Sequence, residues 1–213
     1  MRVSADPPLS DAGRRLCDQM LAGGLTLALA PVALITGGLI VASSGWPPWF
    51  VQERVGRGGR IFRMIKFRTM RPLRPGEDWR DDDRRQTRIG RWLRRTSLDE
   101  LPQLLHVLTG RMALVGPRPL PPAYLAAYTP RQARRHEVRP GITGWAQVHG
   151  RNETPWPVRL EQDVWYVEHR SWRLDLRILL LTMRQVVAGR GLVPKGQAVT
   201  VPLTEVGGGD AHA

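Results

Sequence analysis

"MLAGGLTLALAPVALITGGLIVASS", residues 20–44, carries no charged side chain, and the uncharged run extends to Val51. At roughly 25 residues it exceeds the ~20 that a helix needs to cross a bilayer, so its reading decides the fold. A cleaved signal peptide fits poorly. Asp6, Asp11 and Asp18 lie among the preceding arginines, and the run outlasts the ~7 to 15 residues of an ordinary signal core. Pro31 stands in the middle, where it removes one backbone hydrogen bond and bends any helix that contains it. Two geometries follow: a kinked spanning helix, or a re-entrant helix that enters and leaves on one face. Arg14 and Arg15 precede the run, and Arg54, Arg57, Arg60 and Arg63 follow it. Basic flanks favour the cytoplasmic side, so neither end suits export and the re-entrant form, bent at Pro31, is favoured. Trp46 and Trp49 then fall where interfacial aromatic anchors belong.

The rest of the chain is strongly basic, with 32 Lys+Arg against 19 Asp+Glu and a formal net charge of +13 over 213 residues. That balance points to a polyanionic partner: nucleic acid, an anionic membrane surface or a phosphorylated substrate. Lys66 and Lys195 are the only lysines; the guanidinium fork of the many arginines matches phosphate geometry. A single cysteine, Cys17, excludes an intramolecular disulfide and any multi-thiolate metal site. The five histidines show no ligand spacing such as H-x3-H or H-E-x-x-H and read as packing or surface residues. There is no Walker A loop, no strand-linked G-x-G-x-x-G and no G-x-S-x-G, which counts against nucleotide triphosphatases, dinucleotide dehydrogenases and α/β-hydrolases.

Beyond the apolar run, Phe50–Val55 and Arg60–Phe67 read as two extended segments joined by a turn at Gly56, Gly58 and Gly59. "RPLRPGEDWRDDDRRQ" reads as a polar loop, and "TPRQARRHEV" as a short basic helix. "RPGITGWAQVHGRN" reads as a second glycine-punctuated extended segment. In "LRILLLTMRQVVAG" the apolar positions Leu176, Leu179, Leu180, Met183 and Val187 recur at helical spacing, which suits a core helix and an interfacial helix equally. The tail from Gly189 has no periodic apolar pattern.

"TSLDELPQ" places two acids side by side, Asp99 and Glu100, where a helix begins. Pro102 is tolerated only in a first turn, so either Asp99 caps the helix, or Ser97 does with Glu100 reaching back in a capping box. Ordinary capping would explain one acid there. Two acids amid Arg91, Arg94, Arg95 and Arg111 suggest more: an ionised aspartate held by arginines and helix amides can bind Mg²⁺ with a substrate diphosphate, or attack phosphorus itself. "GPRP", Gly116 to Pro119, holds Arg118 between prolines that restrict its backbone to extended geometry, so the guanidinium is presented in few directions.

Taken in order, the membrane segment, "KFRTM", "TSLDELPQLLHVLTGRMALVGPRPL", "RPGITGWAQVHGR" and "DVWYVEHRSWRLDLRILL" closely resemble the bacterial sugar transferase family, the monotopic polyprenol-phosphate phosphoglycosyl transferases, over roughly Arg14 to Gly191. The resemblance implies transfer of a sugar-1-phosphate from a UDP-sugar to undecaprenyl phosphate at the cytoplasmic face of the bacterial inner membrane, with Mg²⁺ as cofactor and UMP as product. It makes Asp99 the nucleophile of a phosphosugar-aspartyl intermediate and Glu100 its dyad partner, the two also being the metal ligands. Arg118 would hold the uridine diphosphate and Arg151 a phosphate, with Lys66, Arg94 and Asp175 lining the pocket. Ala30 departs from the serine that often precedes the membrane proline in the family, which bears on the bend, since serine can bond backbone groups at a break.

The expected architecture is α+β and membrane-associated: a re-entrant membrane helix within residues 1–48, then a β-hairpin and a mainly helical cytosolic domain with interfacial amphipathic helices over 49–191, then a tail over 192–213. Lacking the extra spans of long-form members, the chain is expected to stand as the minimal catalytic unit. The lipid bilayer, the UDP-sugar donor and the polyprenyl acceptor are the expected partners, without nucleic acid; oligomeric state and sugar identity are not legible. A membrane-tethered nucleic-acid-binding protein, argued from charge and eight tryptophans, and a catalytically silent scaffold are the competing readings. The first lacks any recognition motif; the second is opposed by the intact Asp99, Glu100 and Arg118.

Overall fold

A computed structural model describes residues 11–72, 74–75, 82–149 and 154–188; Arg151 and the tail lie outside them. The apolar run forms a single helix, α1, Asp11–Ser44, continuous through Pro31. Only 11% of its most apolar 18-residue window is buried, far too little for the core helix of a water-soluble body. Leu16, Met20, Leu27, Leu34 and Ile35 are exposed.

What α1 does bury lies on both sides of Pro31. Before it, Arg14 pairs with Asp175, Asp18 takes Arg139 at 3.1 Å, Gln19 donates to the Leu108 carbonyl at 2.7 Å, and Ala22 enters the main core. After it, Ile40 packs with Phe67 and Leu93, and Arg68 donates to the carbonyls of Ser44, at 2.7 Å, and Gly45.

Strands β1, Trp49–Val55, and β2, Ile61–Phe67, form the expected antiparallel hairpin, with Val55 opposite Ile61 and Trp49 opposite Phe67. The turn needs positive φ at Gly58 (65°) and Gly59 (76°), which glycine adopts without steric cost. Of the polar loop, Asp82–Arg85 is a short helix, α2. Helix α3, Arg88–Thr96, is capped by Thr87, whose hydroxyl accepts from the Gly90 amide at 2.8 Å. Gly90 sits so close to the Thr69 backbone that any side chain there would collide with it, and this contact brings α3 against the end of the hairpin.

A 3-10 turn, Leu98–Gln103, runs into α4, Leu104–Leu108. Strand β3, Ala113–Val115, pairs in parallel with β4, Gly141–Thr143. Between them lie the Arg118 segment, a 3-10 turn at Pro122–Ala127, and the basic element, which is α5, Pro130–Ala133, followed by a 3-10 turn at Arg134–His136. Among the described residues of the segment read as extended after Arg139, β4 is a strand, whereas Trp145–His149 turns into helix α6. Helices α7, Trp156–His169, and α8, Trp172–Val187, complete the described fold.

The core collects Met64, Val107, Met112, Leu114, Tyr166 and Ile178. On α8 Ile178 is fully buried, while Leu176, Leu180, Met183 and Val187 are exposed. Four of the five stripe positions therefore face outward, while Leu179 packs against the core beside Ile178, so α8 rests on the body along one side and leaves an exposed apolar face on the other.

Candidate active site

Asp99 and Glu100 lie in the first turn of the 3-10 element and are 8% and 7% exposed. Neither expected cap forms. Ser97 adopts a left-handed conformation (φ 57°) and its side chain caps nothing, because it must both end α3 and reverse the chain. Its backbone carbonyl instead accepts from the Glu100 amide at 3.2 Å. Both acids are thereby released from capping and turned inward.

Cations from three elements meet them. Arg118 donates to Glu100 Oε1 at 2.7 Å, its side chain remaining 42% exposed. Arg94, buried on the inner face of α3, donates Nε to the Thr69 hydroxyl at 3.0 Å, a bond that rests on the close approach at Gly90. Lys66 extends from β2 with its ammonium 5.4 Å from the Phe50 ring centroid. Burial, and then the neighbouring Glu100 carboxylate, push the Asp99 pKa up to about 6 against the downward pull of Lys66, Arg94 and Arg118. Burial and the Arg94 charge bring Lys66 down to about 8. Opposed shifts in neighbouring acid and base are the electrostatic mark of a functional site.

Arg118 is held by its backbone. Pro117 and Leu120 accept from the amides of Gly141 and Val55, both at 3.0 Å, and the Arg118 carbonyl accepts from Arg135 Nη2 at 2.7 Å. Arg135 and Asp163, 2.6 Å apart with side chains 1% and 7% exposed, form a buried ion pair beneath this segment. Sequence reading passed over both. Asp163 was detectable, since it interrupts the buried stripe of α7 beside Leu160 and Val164; nothing local distinguishes Arg135 from the arginines beside it.

Among the described residues, Asp175 engages a different set of partners. Asp175 accepts from Arg14 and, at 2.7 Å, from the Tyr166 hydroxyl, so its contacts tie α8 to α1 and α7. Pro31 lies in the helix as described, and Arg151 is outside the described residues. A separate basic cavity of about 740 Å³, walled by Arg15, Arg57, Arg60, Arg111 and Arg139, opens at the hairpin tip and contains neither acid of the pair.

Buried paired acids ringed by lysine and arginine, in a small α+β body bearing one long apolar helix, define a class of enzyme shaped for an anionic substrate beside an apolar phase. The chain matches the bacterial sugar transferase family over residues 9–189, and it belongs to that family. The uncharacterized sugar transferase EpsL of Bacillus subtilis (strain 168) is 45% identical over 201 residues, which is 94% of this chain and 98% of that protein. The UDP-glucose:undecaprenyl-phosphate glucose-1-phosphate transferase of Xanthomonas campestris pv. campestris is 41% identical over 186 residues, spanning 82% of this chain but 38% of the relative. The UDP-N-acetylgalactosamine-undecaprenyl-phosphate N-acetylgalactosaminephosphotransferase of Aeromonas hydrophila is 40% identical over 171 residues, 76% of this chain and 40% of its own length.

Proposed function

We propose that this chain is a phosphoglycosyl transferase that moves a sugar-1-phosphate from a UDP-sugar to undecaprenyl phosphate, the first committed step of a bacterial surface glycan. The observation that carries the reading is the enclosure of Asp99 and Glu100 by Lys66, Arg94 and Arg118; the names of the relatives supply the substrate class.

In the first step an Asp99 carboxylate oxygen attacks the sugar-linked phosphorus, the bond to the bridging oxygen breaks, and UMP departs with that electron pair. An oxygen of the polyprenyl phosphate then attacks the same phosphorus and returns Asp99 as a carboxylate. Lys66 and Arg94 neutralise charge around the phosphoryl oxygens, and Arg118 orients the diphosphate and Glu100 together. Mg²⁺ commonly binds through one or two carboxylates plus substrate phosphates, and the adjacent buried acids suit such a donor set. Asp99 and Glu100 would hold the ion, which would screen the diphosphate charge. Among the described residues no cluster of three or more His, Cys, Asp or Glu offers a complete protein cage.

The same reading makes α1 re-entrant. Its two halves both pack on one folded body, whereas the ends of a spanning helix would lie on opposite sides of the membrane. In a Cys17→Ser background, single cysteines at Ala12 and Gly45 are expected to resist a membrane-impermeant thiol reagent in intact spheroplasts and both to react after permeabilisation. Labelling of only one before permeabilisation would make α1 a spanning helix.

The activity is tested by UMP release from a panel of UDP-sugars with Mg²⁺, with and without undecaprenyl phosphate. Release from one donor without acceptor supports the two-step route, and strict acceptor dependence opposes it. The kcat/KM for donor, which reports the free enzyme, should rise as Asp99 loses its proton near pH 6 and fall as Lys66 loses its own near pH 8. A profile flat between pH 5 and 7 would remove Asp99 from the reaction.

A further inference from the structure

The hairpin register sets Arg54 opposite Phe62, on the same strand face as the Gln52–Met64 and Phe50–Lys66 pairs. Arg54 therefore shares a face with Lys66 although twelve positions separate them in sequence. At the next residue, the Val55 amide donates to the Leu120 carbonyl at 3.0 Å, binding the strand to the segment that carries Arg118. The guanidinium is only partly used: one Nη donates to Gln52 Oε1 at 2.7 Å, while the buried Nε meets no acceptor among the described residues.

A buried N–H without an acceptor is costly, and a second guanidinium near Arg118 adds like charge to the cost. Burial and Arg118 both draw the Arg54 pKa down, to about 10, whereas Tyr124 and Glu100 act in the opposite direction. Glu100 is already engaged by Arg118. Among the described residues Arg54 has no carboxylate partner of its own, and an incoming anion would supply the missing acceptor and offset its charge.

Lys66, Arg94 and Arg118 all act on Asp99, the nucleophile toward the sugar-linked phosphorus. Arg54 feels the charges of Arg118 and Glu100 and is joined through the Val55–Leu120 hydrogen bond to the segment that carries Arg118. We propose that Arg54 is a donor-binding residue whose guanidinium holds the uridine-linked phosphate, the group that leaves as UMP, so that the charge left on the departing phosphate falls between Arg54 and Arg118. This rests on the phosphoglycosyl transferase reading. Bidentate charge-assisted bonds of this kind are the strong class of phosphate contacts.

The experiment compares the full chain in detergent with Arg54→Gln and Arg54→Lys, measuring UMP affinity by titration calorimetry and the KM for donor and for undecaprenyl phosphate. Arg54→Gln is expected to weaken UMP binding and raise donor KM by about 10- to 100-fold, leaving acceptor KM within about twofold, as a general structural defect would not. Arg54→Lys keeps the charge but loses the fork, so it should recover part of the affinity, remaining about 5- to 10-fold weaker than wild type; if the Gln variant does not fold, this deficit carries the test. Wild-type UMP affinity in both variants, or a rise in acceptor KM alone, overturns the assignment. Failure of the unmodified chain to bind UMP or release it from any donor would instead overturn the underlying activity.

Discussion

Asp99→Asn is expected to abolish UMP release, by at least about 10³-fold, and at the same time to raise the melting temperature at pH 7.5. The first effect follows because an amide is a poor nucleophile toward phosphorus, and losing the nucleophile of a covalent route removes the group on which the other site residues act. Intact mass should show a phosphosugar adduct on the unmodified chain incubated with donor alone, and none on the variant. Acceptor-dependent release that survives Asp99→Asn would place the nucleophile elsewhere.

The second effect follows from the sign of the Asp99 shift. Its folded pKa is raised, from 3.8 to about 6, so the native state holds a proton that the unfolded chain would release. Stability contributed by this group is therefore lost as pH rises through that window, and the full penalty stands above it. Asparagine removes a penalty on the order of 1–3 kcal/mol, or a few degrees in a chain of this size. The difference from wild type should vanish near pH 4, where Asp99 is protonated in the native state. Equal melting temperatures at both pH values would mean that Asp99 is not held at an electrostatic cost.

Asp163→Ala is expected to destabilise the fold more than any other single change at the site. It leaves the Arg135 guanidinium, 1% exposed, without its carboxylate, and breaking a buried pair from one side typically costs about 3–5 kcal/mol. Arg135 also donates to the Arg118 carbonyl, so the damage should reach the donor site. The double variant Arg135→Met/Asp163→Leu separates the two roles. Removing both charges should restore most of the stability, while donor KM stays raised because the Arg118 backbone has lost its clamp. Recovery of stability and donor KM together would confine the pair to the core.

Much of this site was legible before the fold. The hairpin follows from alternation and glycine placement, since only a turn with positive φ at Gly58 and Gly59 joins the strands. The acid pair stood out because capping accounts for one carboxylate but not two. The capping geometry itself was misread: a short 3-10 turn entered through a left-handed serine replaced the expected α-helical start, and a cap depends on backbone angles that Ser97 could take up only once α3 was docked. The stripe on α8 was correctly periodic, yet periodicity says that one side is apolar and not what covers it.

The sequence by itself determined the long apolar helix, the hairpin, the confinement of Arg118 between prolines and the neighbourhood of Asp99 to Glu100. These depend on transfer energies and backbone sterics acting within a few residues. Only the tertiary structure decided that Arg118 meets Glu100 across 18 positions, that Arg135 and Asp163 pair across 28, and that both halves of α1 rest on one body. Such contacts are selected by the burial of many charges at once. A guanidinium enters the interior where a carboxylate from another element is already in place, and no local pattern names the partner.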